Sequence, residues 1–125
     1  MTTVNTTKDS LEETISENEI VLVDFWASWC GPCRMFAPVF EKSSEKHQDI
    51  TFAKVNTEEE RELAEMFQIQ SIPTLMAFRD QILLYSQPGA LPEAALENLI
   101  EQIRQLDMED VKKSIEADRV SSESN

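Results

Sequence analysis

Two cysteines separated by two residues, in Trp29-Cys30-Gly31-Pro32-Cys33, restrict this chain more than any other stretch. They are the only cysteines among its 125 residues. The apolar run Ile20-Val21-Leu22-Val23 leads up to them, and a helix-patterned segment, residues 34–46, follows. A CxxC placed between a strand and a helix reads as a redox pair. On the first turn of a helix, residues three apart share a face, with Cα atoms about 5 Å apart. A disulfide tolerates that span, so the pair can open and close with little backbone movement. The chain must therefore turn from strand to helix at this point.

That turn makes the two cysteines unequal. Cys30 falls where the helix begins, and Pro32 suits a first turn, where its missing N–H leaves nothing unpaired. Free backbone N–H groups at a helix start favour an anion. The Cys30 thiolate is therefore expected to be stabilised and to act as nucleophile. Cys33, one turn deeper, is expected to be more shielded and to resolve the mixed disulfide through which thiol–disulfide exchange runs. Half of a metal site is the first competing reading. A structural zinc wants four ligands, and the one other soft candidate is His47, so no metal site is expected. Two inert buried thiols remain an open alternative.

The composition, 41% hydrophobic and 28% charged, supports a packed core, and the length fits one domain. A formal net charge of −13 argues against nucleic acid and anionic membrane as partners, since both select basic patches. No apolar run reaches membrane-spanning length. The start, Met1-Thr2-Thr3-Val4, has neither the basic nor the apolar stretch of a secretory signal. Two cysteines without such a signal point to a reducing, cytoplasmic compartment, where a disulfide is more often catalytic than structural.

Periodicity supplies the frame. Residues 2–5 read as a short edge strand and 8–16 as a surface helix with Leu11 and Ile15 inward. Residues 19–27 form the strongest strand, apolar enough to be buried on both faces of a sheet. Alternation sends Val21, Val23 and Phe25 to one face and Ile20, Leu22, Asp24 and Trp26 to the other. Asp24 is thus a carboxylate in an apolar row, six residues before Cys30. Burial raises the pKa of such a group, and perturbed acids cluster at active sites. The following helix, 33–46, presents Met35, Phe36, Val39 and Phe40 as its apolar face. His47 reads as a solvated helix-end residue. Residues 51–56 form a strand whose Lys54 suits an edge or surface. Glu58-Glu59-Glu60 opens a short helix to about Phe67. Residues 74–79 and 82–86 pair as a hairpin about Arg79-Asp80-Gln81. Pro92 opens a last helix with Leu96, Leu99, Ile100, Ile103 and Leu106 buried. Beyond it, Met108, Val111 and Ile115 keep helical spacing to about Ala117, and 121–125 are expected to fray. The order β-α-β-α-β-α-β-β-α predicts an α/β fold: a mixed central sheet flanked by helices on both faces.

With these residues in place the chain resembles the thioredoxin family. Residues 23–35, Val-Asp-Phe-Trp-Ala-Ser-Trp-Cys-Gly-Pro-Cys-Arg-Met, are similar to the family's signature stretch. Ala37-Pro38, Ala53-Lys54-Val55-Asn56, Ser71-Ile72-Pro73-Thr74-Leu75 and Gly89-Ala90 match its other landmarks in order. The likeness covers residues 1–106, which implies a thioredoxin domain there and leaves 107–125 as an acidic C-terminal extension. It implies that Cys30 attacks and Cys33 resolves. It makes Asp24 the buried acid that relays a proton to Cys33, with Lys54 as modulator. Ile72-Pro73 resembles the family's cis-proline loop. Trp29, Ile72, Pro73, Gly89 and Ala90, with Gly31 and Pro32 between the cysteines, resemble the apolar docking surface around an exposed sulfur. Gln81 departs from the pattern, standing in the hairpin turn where the family usually has glycine.

Three functions compete. The leading one is reduction of protein disulfides by dithiol exchange, with no bound cofactor and, by resemblance, electrons from an NADPH-dependent flavoprotein, a thioredoxin reductase. The domain would act as a monomer on disulfide-containing proteins. The second is an oxidant that installs disulfides, and Gly-Pro between the cysteines favours the reductant. The third is a binding module whose thiols are secondary.

Overall fold

The computed structural model describes residues 2–124. They form β1 (Thr3–Asn5), α1 (Lys8–Glu17), β2 (Ile20–Trp26), α2 (Gly31–Lys46), β3 (Thr51–Asn56), α3 (Arg61–Met66), β4 (Thr74–Arg79), β5 (Ile82–Pro88), α4 (Glu93–Gln105) and α5 (Met108–Ser124). The five strands make one sheet in the order β1-β3-β2-β4-β5. β3 pairs in parallel with both β1 and β2. β4 runs antiparallel to β2, and β5 antiparallel to β4. The C-terminal ends of β2 and β3 therefore share one pole of the sheet with the N-terminal end of β4.

The alternation read along β2 divides the core in two. Ile20 and Leu22 join Phe52, Leu75 and Ala77 beneath Phe36 and Phe40 of α2 and Leu96, Ile100 and Ile103 of α4. Val21, Val23 and Phe25 join Ala53, Val55, Met76 and Phe78 beneath Leu11 of α1 and Leu63 of α3. Each face of the sheet thus carries helices, as the element order predicts. Fully burying a side chain such as Phe36 or Leu96 is worth about 1.5–3 kcal/mol, and that packing holds α2 rigidly over β2.

Several details differ from the sequence reading. Glu58-Glu59-Glu60 does not open α3. The Asn56 side chain accepts the Glu58 N–H at 3.0 Å, and its carbonyl accepts from Glu59 and Glu60. This Asx-turn captures the donors a helix start would use, and α3 begins at Arg61. Lys54 lies on an interior strand, not an edge, with its ammonium 4.9 Å from the Trp26 ring centroid. Met35 is exposed because the buried face of α2 is centred on Phe36 and Phe40, and Met35 is turned away from it. Leu106 is also exposed, since the chain leaves the α4 helix there. The Arg79 guanidinium donates to the carbonyls of Ile103 at 2.9 Å and Leu106 at 3.2 Å, capping that end.

After Leu106 the chain restarts as a separate helix. Asp107 accepts the N–H groups of Glu109 and Asp110 at 3.0 and 3.3 Å, an N-cap that launches α5. Met108 is buried and Lys112 pairs with Asp80 of the hairpin turn at 3.5 Å. The helix runs on to Ser124, past the expected end near Ala117. Asn125, the last of the residues expected to fray, lies outside the described ones. The hairpin turn itself places Asp80 and Gln81 at φ 53° and 67°. Two successive left-handed residues form the turn favoured between right-twisted strands, so Gln81 adopts what glycine would take with less strain.

Candidate active site

β2 ends at Trp26, and a short loop delivers Cys30 to the N-cap of α2. The Cys33 N–H points at Cys30 Sγ from 3.2 Å, the free donor at a helix start aimed at sulfur. Cys30 and Cys33 form a disulfide with Cα atoms 5.2 Å apart. The spacing argument predicts that distance, and α2 starts one residue after Cys30, as it requires.

A second loop closes over the pair. The Ile72–Pro73 peptide bond is cis, and the Ile72 carbonyl lies 3.6 Å from Cys30 Sγ. The Pro73 carbonyl accepts the Gly89 N–H at 2.8 Å, so the segments before β4 and after β5 are tied together beside the disulfide. Gly89 adopts φ +107°, a conformation that L side chains avoid. Trp29, Pro32, Gly89 and Ala90 are exposed, Gly31 and Ile72 half-buried, and Pro73 buried. The sulfur at their centre is less open than expected. Cys30 is 4% exposed against 2% for Cys33, because the Ile72-Pro73 loop covers it in the disulfide form.

Asp24 is 1% exposed, and neither carboxylate oxygen has a hydrogen-bond partner. Burial pushes its pKa up to about 7, against a downward pull from Lys54, its register partner on β3. Asp24 follows Leu22 by two residues on one strand face, and Cys33 precedes Phe36 by one turn on one helix face. Leu22 and Phe36 share a core cluster. Asp24 and Cys33 therefore both face the β2–α2 interface, an acid that titrates near neutrality behind the deeper cysteine.

The residues that brace this site escaped the sequence reading. The Arg34 guanidinium donates to the Ser28 carbonyl at 3.2 Å, and the Ser28 hydroxyl donates to Glu58 at 3.1 Å. Both the backbone N–H and the hydroxyl of Thr57 donate to the Trp26 carbonyl. Trp26 lies under the Lys54 ammonium with its indole N–H buried and unpartnered. Its place in the Asp24 row was the available signal. His47 is not at the site, and it is not a solvated helix end. Roughly 26 Å along α2 from Cys30, it bonds Glu97 at 2.7 Å and Arg104 at 3.1 Å. Among the described residues no cluster of three or more His, Cys, Asp or Glu is arranged to hold a metal.

A dithiol–disulfide pair at a helix start, opposed by a cis-proline loop and backed by a buried acid, defines a thiol–disulfide exchange domain. Comparison with known proteins agrees. The thioredoxin family model matches residues 2–102. A putative thioredoxin 2 of Streptomyces coelicolor is 54% identical over 113 residues, covering 90% of this chain and 84% of that one. A thioredoxin of Alicyclobacillus acidocaldarius is 41% identical over 82% of this chain and 99% of its own. Among solved structures, a single-residue mutant of the Halobacterium salinarum thioredoxin superposes with a TM-score of 0.77 at 36% identity, covering 82% of this chain and 91% of that one. The chain belongs to the thioredoxin family. It is a thiol–disulfide oxidoreductase acting on disulfide-containing substrates, and Cys30–Cys33 is its redox-active disulfide.

Proposed function

We propose that the exchange runs in the reducing direction, with Cys30 as nucleophile, Cys33 as resolving thiol and Asp24 as proton relay. The observation that carries the roles of the two cysteines is the pointing of the Cys33 N–H at Cys30 Sγ, which favours the thiolate at Cys30 over one at Cys33; the reducing direction rests on Gly-Pro between the cysteines and on the family. The reduced Cys30 thiolate attacks one sulfur of a substrate disulfide, forming a mixed disulfide and releasing a substrate thiolate. Asp24 accepts the proton of Cys33, whose thiolate attacks Cys30 Sγ, closes the Cys30–Cys33 bond and releases the second substrate thiolate. Two electrons then return from an NADPH-dependent flavoprotein, a thioredoxin reductase. Lys54 modulates the relay by favouring the charged form of Asp24.

Substrate docks on Trp29, Gly31, Pro32, Ile72, Pro73, Gly89 and Ala90, an uncharged patch on a chain of net charge −13. Residues 1–106 are the catalytic domain and 107–125 an extension dispensable for exchange. The protein works as a monomer in the cytoplasm, and no described helix is long and apolar enough to cross a membrane.

Reduction of insulin with and without thioredoxin reductase and NADPH tests the direction. Cys30→Ser is expected to abolish it, and Cys33→Ser to accumulate mixed disulfides on Cys30. Adducts on Cys33 instead would reverse the assignment. Equilibration with glutathione is expected near the about −270 mV familiar for thioredoxins, a value taken from the family. A result near about −120 mV, the strongly oxidising end of such proteins, would sink the reducing direction.

A further inference from the structure

Met35 is 74% exposed, the most open of the large apolar side chains among the described residues, ahead of Trp29 at 67%. Packing within the chain gives it no task, since the buried side of α2 is formed by Cys33, Phe36 and Phe40. Its position is specific. Met35 comes four residues after Gly31 and three after Pro32, so the three share one face of the first two turns of α2. Helical Cα–Cβ bonds tilt toward the N-terminus, which leans Met35 over the turn that holds Gly31. Apart from its chain neighbours and the backbone of its own helix, a methyl group placed on Gly31 would meet no atom within 4 Å, so the space in front of Met35 is open. The adjacent Arg34 is turned elsewhere, since its guanidinium donates to the Ser28 carbonyl at 3.2 Å.

We propose that Met35 is a specificity-determining contact: one wall of an apolar notch, floored by Gly31, that takes an apolar side chain flanking the disulfide of a folded protein substrate. The inference rests on the docking surface proposed above and extends it along α2. The patch is uncharged and continuous with Gly31 and Pro32, so an apolar flank fits it and a charged one does not. A thioether side chain, unbranched and polarizable, adapts to differently shaped partners. Single exposed apolar residues are ordinary on protein surfaces; Met35 is set apart by sharing a helix face with Gly31 and Pro32 beside the disulfide.

The test compares kcat/KM for insulin with kcat/KM for cystine, a disulfide without a folded flank. Met35→Gln is expected to lower the insulin-to-cystine ratio about 3- to 10-fold, the effect of losing one or two buried methylenes. Met35→Leu is expected to keep most of it, and a lesion in folding would lower both rates and leave the ratio in place. Trp29→Ala serves as the control for the docking surface itself. A ratio that holds in Met35→Gln while falling in Trp29→Ala overturns the role of Met35 and leaves the docking surface standing. A ratio that holds in both overturns the docking surface as well.

Discussion

Asp24 and Asp49 lie near opposite ends of α2 and have opposite chemistry. Asp24 is sealed under the helix start with no hydrogen-bond partner, and burial raises its pKa from 3.8 to about 7. Asp49, just past the other end, takes two hydrogen bonds from Arg104 at 2.7 and 2.9 Å, which hold it down at about 2. Its neighbours are equally well served: Glu97 accepts from Ser43 at 2.8 Å and contacts His47, and Arg104 reaches the other His47 nitrogen. Burial pushes Glu97 up, yet those hydrogen bonds leave it below the usual carboxylate range. The comparison isolates what makes a carboxylate reactive here. A carboxylate given partners stays charged at neutral pH, and one denied them titrates near it, as the proposed relay requires.

Removing the charge from Asp24 gives the largest expected effect. The folded pKa lies above the unfolded one, so the penalty is absent below about pH 4, grows through the range up to about 7, and is complete above it. Asp24→Asn is therefore expected to stabilise the fold by about 4 kcal/mol at pH 8 and by little at pH 4. Denaturant melts at the two pH values decide it, and an equal gain at both would mean the acid is not desolvated. The same variant is expected to slow resolution of the mixed disulfide by about 10²-fold or more while sparing the first attack. Rapid-mixing kinetics separate the two steps.

Stripping the partners from Asp49 should move it toward ordinary behaviour at much smaller cost. The Asp49 side chain is 63% exposed, so solvent screens the pair. Arg104→Ala is expected to lose roughly 1 kcal/mol at pH 7. Here the folded pKa is depressed, so the ion pair's share is present above about pH 4 and fades as pH falls toward about 2. A deficit that persisted undiminished at pH 2 would assign the loss to packing instead.

The smallest change sharpens the Asp24 side. Lys54 pulls the Asp24 pKa down, so Lys54→Gln is expected to raise it further. Carboxyl chemical shifts of Asp24 followed by NMR read this directly. A lower titration midpoint in the variant would reverse the sign assigned to Lys54.

Legibility in the sequence followed the range of the forces involved. The alternation in β2 and the i, i+3 spacing of Cys30 and Cys33 are local, and both were readable. Asp24 stood out because its row was otherwise apolar. Met35 was misjudged because it adjoins Phe36, and a single helical step decides which faces inward. Glu58 to Glu60 were misjudged because an Asx-turn at Asn56 outcompeted their preference for a helix start. The cis bond at Ile72–Pro73 came through the family likeness alone, since tertiary context selects the isomer. His47 needed Glu97 and Arg104, 50 and 57 residues away in sequence, to become a packed residue.

The strand directions have a further consequence. Everything that touches the disulfide gathers at one pole, while the Asp80-Gln81 turn and the anchored start of α5 occupy the other. The molecule is therefore single-ended, like a tool with a grip. Coupling it to a solid support through the Asp80-Gln81 turn should leave its working end facing outward and turnover close to that of the free protein. A support-bound form that docked substrate poorly would mean the two poles are less independent than the sheet suggests.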